Sequence, residues 1–191
     1  ETSGVVLIAK NAETARRFGK AMMRRRCAKT YLAIVRGWPR WEERTLDAPI
    51  RRAGEVMDSP IWVKQMVHAG GAPCATEVRV LQRFERRMND ASLPFALIEA
   101  KPLTGRMHQI RVHLAHLGFP VVGDKIYGGD ESCYLEFIET GWTPALEHKL
   151  LLPRHALHSQ RLEVEDSHGN LAWEAPLPGR LRTFIEQHPA H

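Results

Sequence analysis

Cysteine is scarce. Cys27, Cys74 and Cys133 are the three in 191 residues, an odd number with no C-x-x-C spacing. This excludes a disulfide scaffold and a zinc–thiolate site, and it points to a reducing compartment, the cytoplasm. No apolar run is long enough to cross a bilayer, so no membrane partner is expected. No secretory leader is visible. There is no repeat of fixed period and no low-complexity linker. The ten histidines come without H-E-x-x-H or an acidic cluster. His113 and His116 are three apart on an expected helix. His155 and His158 are three apart in an expected strand, where a period of two puts them on opposite faces. A metal-dependent hydrolase is therefore the last of the alternatives, and no metal or organic cofactor is expected. Acid is locally missing too. Between residues 11 and 29, Glu13 stands alone among Arg16, Arg17, Lys20, Arg24, Arg25, Arg26 and Lys29.

What is present is ordinary for a globular chain: 43% hydrophobic and 26% charged residues. The length suits a single domain over 1–191. The net charge is +5 and the pI about 9.4, compatible with a polyanionic partner. The basic cluster is more specific, because a solvated helix face alternates its signs. Arg16, Lys20 and Arg24 recur on one face of that helix and are candidates for RNA phosphate contact.

Taken in order, Val5–Ile8 is a continuous, partly β-branched apolar run that predicts a buried central strand. A helix is expected from Ala12 to Arg25, capped by Asn11, with Ala15, Phe18 and Met22 toward the core. Residues 29–37 predict a strand, with Tyr31, Ala33 and Val35 facing one way. Trp38 and Trp41, beside Arg36, Arg40 and Arg44, suit either base stacking or the cover of an apolar edge. A strand pair is expected at 44–51 and 61–67, strands at 74–84 and 95–100, and an exposed connection over 83–90. A short helix over 130–140, an irregular stretch over 143–149, a strand over 154–165, a turn at 167–170, a hairpin partner at 171–175 and a closing helix complete the chain. Consecutive strands with few helices between them predict an α+β fold on a mixed, mostly antiparallel sheet with flanking helices.

The densest signal lies in 101–128. Thr104 reads as the N-cap of a helix over 107–117, with Met107, Ile110, Leu114 and Leu117 on one face and Gly118 ending it. Arg106, His108, Gln109 and Arg111 gather at its start, where free N–H groups favour anions. The string Thr104-Gly105-Arg106-x-His108-Gln109-Ile110-Arg111-Val112-His113, then Gly118-x-Pro120-Val121-Val122-Gly123-Asp124-x-x-Tyr127-Gly128, resembles the RluA-type RNA pseudouridine synthases. The likeness covers nearly the whole chain. Glu1–Gly4 is similar to the end of that family's H-R-L-D-x-x-T-S-G motif. Lys29–Gly37 resembles its tyrosine motif, and Leu150–Leu162 its late L-H-A strand, with Ser159 where Ala is usual.

The resemblance implies a central RNA-binding cleft and conversion of uridine to pseudouridine in structured tRNA or rRNA, without metal or cofactor and with no obligatory protein partner. It implies that Arg111 orients an essential aspartate, and that Tyr31 lies against the uracil and is a candidate for the final proton removal. It places Thr104, Arg106, His108, Gln109 and Leu157 around the substrate, with Arg16, Lys20, Arg24 and Arg36 on RNA. The aspartate falls two residues before Glu1, outside this sequence, and Glu1 is a poor substitute. The expectation is an N-terminally truncated catalytic domain, inactive as it stands, with an exposed sheet edge if upstream strands are missing. A non-catalytic RNA-binding module of the same fold is the rival reading.

Overall fold

The apolar residues Leu32–Val35 become the middle of a seven-stranded sheet. The computed structural model describes residues 1–88, 91–166 and 169–186. Leu32–Val35 lie on β2 (Cys27–Arg36), buried on both faces. The strands β1 (Ser3–Gly4), β3 (Glu43–Asp47), β6 (Ala75–Met88), β7 (Ala91–Pro102) and β8 (Leu157–Asp166) complete the order β1-β8-β2-β7-β6-β3, with β9 (Gly169–Glu174) beside β8. Only β1 is parallel to its neighbour; the other ladders described are antiparallel. A separate two-stranded lobe pairs β4 (Ile50–Arg52) with β5 (Gln65–Val67). The fold is α+β, as the element pattern predicts.

Helix α2 (Gln109–His116) and α5 (Gly179–Glu186) cover the main core, where Ile110, Leu114, Leu181 and Phe184 meet Ala33, Val35, Phe95 and Ile98. Helix α1 (Ala12–Met23) closes a second cluster over β8 and β9, with Ala21 and Phe18 against Leu162, Val164 and Trp173. Helices α3 (Ser132–Thr140) and α4 (Pro144–Leu150) pack on each other through Cys133, Leu146 and Leu150.

Several expectations are corrected. Val5–Ile8 is not a central strand. It runs along the sheet edge, with Val5 and Leu7 turned inward while Val6 and Ile8 are 75% and 80% exposed. The buried stripe of α1 is Phe18 and Ala21, with Ala15 and Met22 outside, because Arg17 turns in to pair with Asp166. The helix ends at Met23. The expected pair 44–51 and 61–67 divides: β3 joins the main sheet, and only 50–52 and 65–67 pair. Residues 83–88 stay in β6 and β7 starts at Ala91, so the polar stretch is one arm of a long hairpin; Asn89 and Asp90 lie outside the described residues. Thr143 caps α4 over a stretch expected to be irregular. Strand β8 begins at Leu157, leaving His155 before it. Of the expected turn at 167–170, Ser167 and His168 lie outside the described residues.

The 107–117 helix is the largest correction. It starts at Gln109, and Met107 is half-exposed outside it. Thr104 does not cap it; His108 occupies that position with φ 57 and no side-chain cap bond. Gln109, Arg111 and His113 are all buried, so the helix is enclosed on nearly every side. One side meets the sheet. The other meets the lobe, where Val112 packs with Ile50 and Cys74.

His113 is fully buried between these layers. Its Nε2–H donates to Ala48 O at 2.9 Å, and Nδ1 accepts from the Thr76 hydroxyl at 2.8 Å. Burial holds its pKa below the ordinary value. The unfolded chain therefore takes up a proton near pH 6.5 that the folded chain refuses, and stability falls as the pH drops below that point. His113→Ala leaves Ala48 O only the Cys74 thiol, takes the acceptor from the Thr76 hydroxyl and opens a cavity, and is expected to cost about 2–4 kcal/mol, read by urea unfolding. It should also flatten the acid limb of the stability–pH curve; an unchanged limb would clear His113 of that role.

Candidate active site

Tyr31 marks the site. It lies on β2 at a β-bulge, where the register with β8 jumps from Thr30↔Arg161 to Tyr31↔Ser159. The extra residue, Gln160, lies on β8, so Tyr31 sits opposite the bulge, where the ladder is broken. Tyr31 is half-buried and lines a cleft of about 330 Å³. Burial raises the pKa of its phenol, and a hydrogen bond from Ser159 opposes this only in part.

Arg111 lines the same cleft from α2. Its guanidinium forms a bidentate pair with Asp124: Nε to Oδ2 and Nη2 to Oδ1, each at 2.7 Å. Asp124 is fully buried, and Oδ1 also accepts from the backbone N–H groups of Ile126 at 3.0 Å and Tyr127 at 3.1 Å. Burial works against both charges, yet the fork-to-carboxylate contact outweighs it. The Asp124 carboxyl is held below its ordinary range and the guanidinium raised. Gly123 makes this turn possible: it has φ 77, and a Cβ there would stand 2.3 Å from Arg154 O.

Thr104, Arg106, His108, Gln109 and Leu157, all singled out in the sequence, line this cleft as well. They do not contribute alike. Gln109 spends its whole amide inside the protein. Its Oε1 accepts from Thr104 Oγ1 at 2.7 Å and Arg106 N at 3.0 Å, and its Nε2 donates to Ala75 O and Thr76 Oγ1. Gln109 therefore pins the 104–106 loop, and the helix start is not an open anion site. Arg106 is exposed, with one 3.5 Å contact to Pro73 O. The His108 pKa is lowered to about 4, by burial first and then by Arg111, so its ring is neutral at pH 7.

The first residues are fastened beside the cleft, and Thr2 and Ser3 line it. Ser3 Oγ donates to His158 Nδ1 at 2.9 Å, while His158 Nε2–H donates to Ala175 O. Thr2 Oγ1 meets His155 Nε2 at 2.8 Å. Gly4, at φ 110, lies so close to β8 that a Cβ would stand 2.1 Å from Ser159 O. Glu1 pairs with Lys125 Nζ at 2.6 Å and His155 Nδ1 at 3.4 Å; these partners outweigh burial and lower its pKa to about 2. The two histidines are thus pins for the N-terminal turn. Among the described residues no cluster of His, Cys, Asp or Glu is arranged to hold a metal ion.

Arg16, Lys20 and Arg24 are exposed on α1, apart from the cleft. A broader trough of about 1510 Å³ adjoins the cleft and shares Lys29, Thr104 and Arg106 with it; its cations from the basic cluster are Arg25, Arg26 and Lys29. Arg36 is not at this surface. It is half-buried at the far end of β2 and donates to Lys149 O at the end of α4. Trp38 and Trp41 cover an apolar edge: Trp38 Nε1 donates to Phe84 O at 3.1 Å, and Trp41 packs edge-on to Phe119. Asp124, Tyr127 and Lys125 carry contacts that the sequence reading missed. The Gly123-Asp124-x-x-Tyr127-Gly128 pattern was their signal.

The profile described as RNA pseudouridylate synthase matches residues 1–116. Ribosomal large subunit pseudouridine synthase D of Nitrosomonas europaea is 32% identical over 190 residues, 97% of this chain and 48% of that protein. Ribosomal large subunit pseudouridine synthase C of Yersinia pestis is 34% identical over 184 residues, 95% of this chain and 51% of that protein. Among solved structures, human RNA pseudouridylate synthase domain containing 1 is similar with a TM-score of 0.65 and 27% identity, covering 88% of this chain and 62% of that one. The chain spans about half the length of the curated relatives it matches. With its profile matched over more than half of the chain and its synthase relatives above 30% identity across nearly all of it, the chain belongs to the RNA pseudouridylate synthase family, in its RluA-type branch.

Proposed function

We propose that the protein isomerises uridine to pseudouridine in structured transfer or ribosomal RNA, acting in the cytoplasm through one catalytic domain. The supporting observation is that Tyr31, Arg111 and the Thr2-Ser3 turn all line a single cleft. The carboxylate that the family pattern requires stands three residues upstream of Thr2, within a chain reach of about 10 Å. It would act at the sugar as nucleophile or as electrostatic and base partner. The C1′–N1 bond breaks, the uracil turns over, and a C1′–C5 bond forms, after which C5 gives up its proton to a base and N1 takes one up. Arg111, already fixed by Asp124, has Nη1 left for that carboxylate and keeps it ionised. Tyr31 forms the wall against which the base lies. Its phenol, raised by burial, is protonated at neutral pH.

The target base must leave its stack, at a cost of a few kcal/mol that contacts to the surrounding RNA offset. Arg25, Arg26, Lys29, Lys101 and Arg106 line the trough beside the cleft, interspersed with Glu77, Glu99, Glu163, Glu165 and Glu174, and are its candidate cations for that work. Arg16, Lys20 and Arg24 would meet RNA further out.

Two outcomes test this reading. In a chain extended upstream through H-R-L-D, tritium should be released from C5-labelled uridine in RNA. Arg111→Lys, which keeps the charge but loses the fork, should slow release by about 100-fold or more, and Tyr31→Phe should be measurably slower. RNA binding without turnover in the extended protein would favour the non-catalytic module instead. In filter binding, affinity for RNA should fall tenfold or more for a few-fold rise in salt. Arg25→Glu with Arg26→Glu should lower the log–log slope by about one per residue engaged, and by more than Arg16→Glu with Lys20→Glu. A flat salt response would sink the basic surface as an RNA contact.

A further inference from the structure

His108 holds an unusual place for a polar residue beside a reactive cleft. Its backbone is left-handed, at φ 57, which costs strain for a side chain without a local cap bond. Its ring is instead fixed by Tyr127. Nδ1 lies 3.0 Å from the Tyr127 hydroxyl, and the two rings meet edge to face, 5.7 Å between centroids. The same hydroxyl accepts from Gln65 N–H on β5 at 2.9 Å. A backbone N–H can only donate, so one lone pair of the phenol oxygen is taken. Were His108 Nδ1 to donate as well, the phenol proton would have no acceptor among the described residues. The arrangement closes only if Gln65 N–H donates to the phenol and the phenol donates to Nδ1. The proton of the neutral imidazole then resides on Nε2, which no other described residue engages, while the ring lines the cleft.

We propose that Tyr127 is a positioning residue that locks His108 in its Nε2–H tautomer, and that His108 thereby presents an uncharged N–H donor to a carbonyl oxygen of the uracil base. This rests on the pseudouridine reading for the identity of the acceptor, but the lock itself does not. The surroundings fit an uncharged acceptor. Burial disfavours the imidazolium first, and Arg111 and His155 add to it, with Asp124 opposing them. Burial also pushes the Tyr127 phenol up to about 12, so it retains the proton it donates. A phosphate oxygen would call for the charged ring that this setting resists. The lobe is drawn into the site by the same chain: β5 reaches the cleft through Gln65, Tyr127 and His108 in turn.

The tautomer is read directly by long-range proton–nitrogen NMR on the chain with labelled histidine, the His108 signals being assigned by their loss in His108→Gln. The wild-type chain should show Nδ1 without a proton and Nε2 with one. Tyr127→Phe keeps the ring packing but removes the hydroxyl, and should shift the tautomer ratio by about five- to tenfold, the size of one hydrogen bond. Uridine added to tens of millimolar should move the Nε2–H signal, whereas inorganic phosphate should not. A proton on Nδ1, or a Tyr127→Phe spectrum like the wild type, overturns the lock. An Nε2 signal indifferent to uridine, or answering to phosphate alone, overturns the donor role. Absence of turnover in the extended chain, with the lock intact and uridine sensed, would instead count against the catalytic reading.

Discussion

The buried pair between Arg111 and Asp124 is the constraint on which the rest of the site depends. Two charges removed from water cost several kcal/mol each unless their hydrogen-bonding capacity is filled. Here the filling is thorough. Asp124 takes both forks of the guanidinium and two backbone N–H groups. Such a pair adds little net stability over apolar packing, but it has only one good geometry. That geometry ties α2 to the 123–128 turn, fixes where the guanidinium meets the cleft, and brings Tyr127 under the guanidinium at 5.0 Å. Moving Asp124 by an ångström would leave a buried charge unpaired, so the turn cannot drift.

A second polar chain does the same work on the other side of α2. Gln109 donates to Thr76, Thr76 donates to His113, and His113 donates to Ala48 O. Each member has a donor and an acceptor where it needs one, which is the condition for burying a polar network at all. The consequence is that β6, α2 and the residues leading into the lobe keep one relative placement. His155 and His158 act likewise on the N-terminal turn, holding Thr2 and Ser3 against β8. His113, His155 and His158 thus serve as struts.

The sequence was legible where one rule governs one surface. The strand over 29–37, the α+β pattern and the closing helix followed from apolar patterning, and the residues that line the cleft, Tyr31, Thr104, Arg106, His108 and Arg111, lay in the family-like strings. It was misleading where a segment meets two environments. Helix α2 reads as amphipathic, but it is covered on nearly every side, with His116 exposed at its end: the main core takes Ile110 and Leu114, and the lobe takes Val112. Its polar residues are inside because partners distant in sequence meet them there, from Asp124 at 13 residues to Ala48 at 65, and periodicity carries no trace of such partners. Val5–Ile8 failed for the opposite reason. A continuous apolar run implies two covered faces, yet on this sheet edge only Val5 and Leu7 are covered.

The same distinction explains how the basic residues divide. Charge density alone draws attention to the repeated face of α1, Arg16, Lys20 and Arg24. But a helix face is straight, and the cleft lies beyond the end of the helix. The chain turns at Arg25, which takes a left-handed φ of 56, and enters β2 two residues later. That turn delivers Arg25, Arg26 and Lys29 to the trough that opens into the cleft. Proximity in the fold, not periodicity in the helix, therefore decides which of these cations border the trough beside the cleft. The strand that receives this turn is the one that carries Tyr31, so these cations and the tyrosine are placed by a single segment.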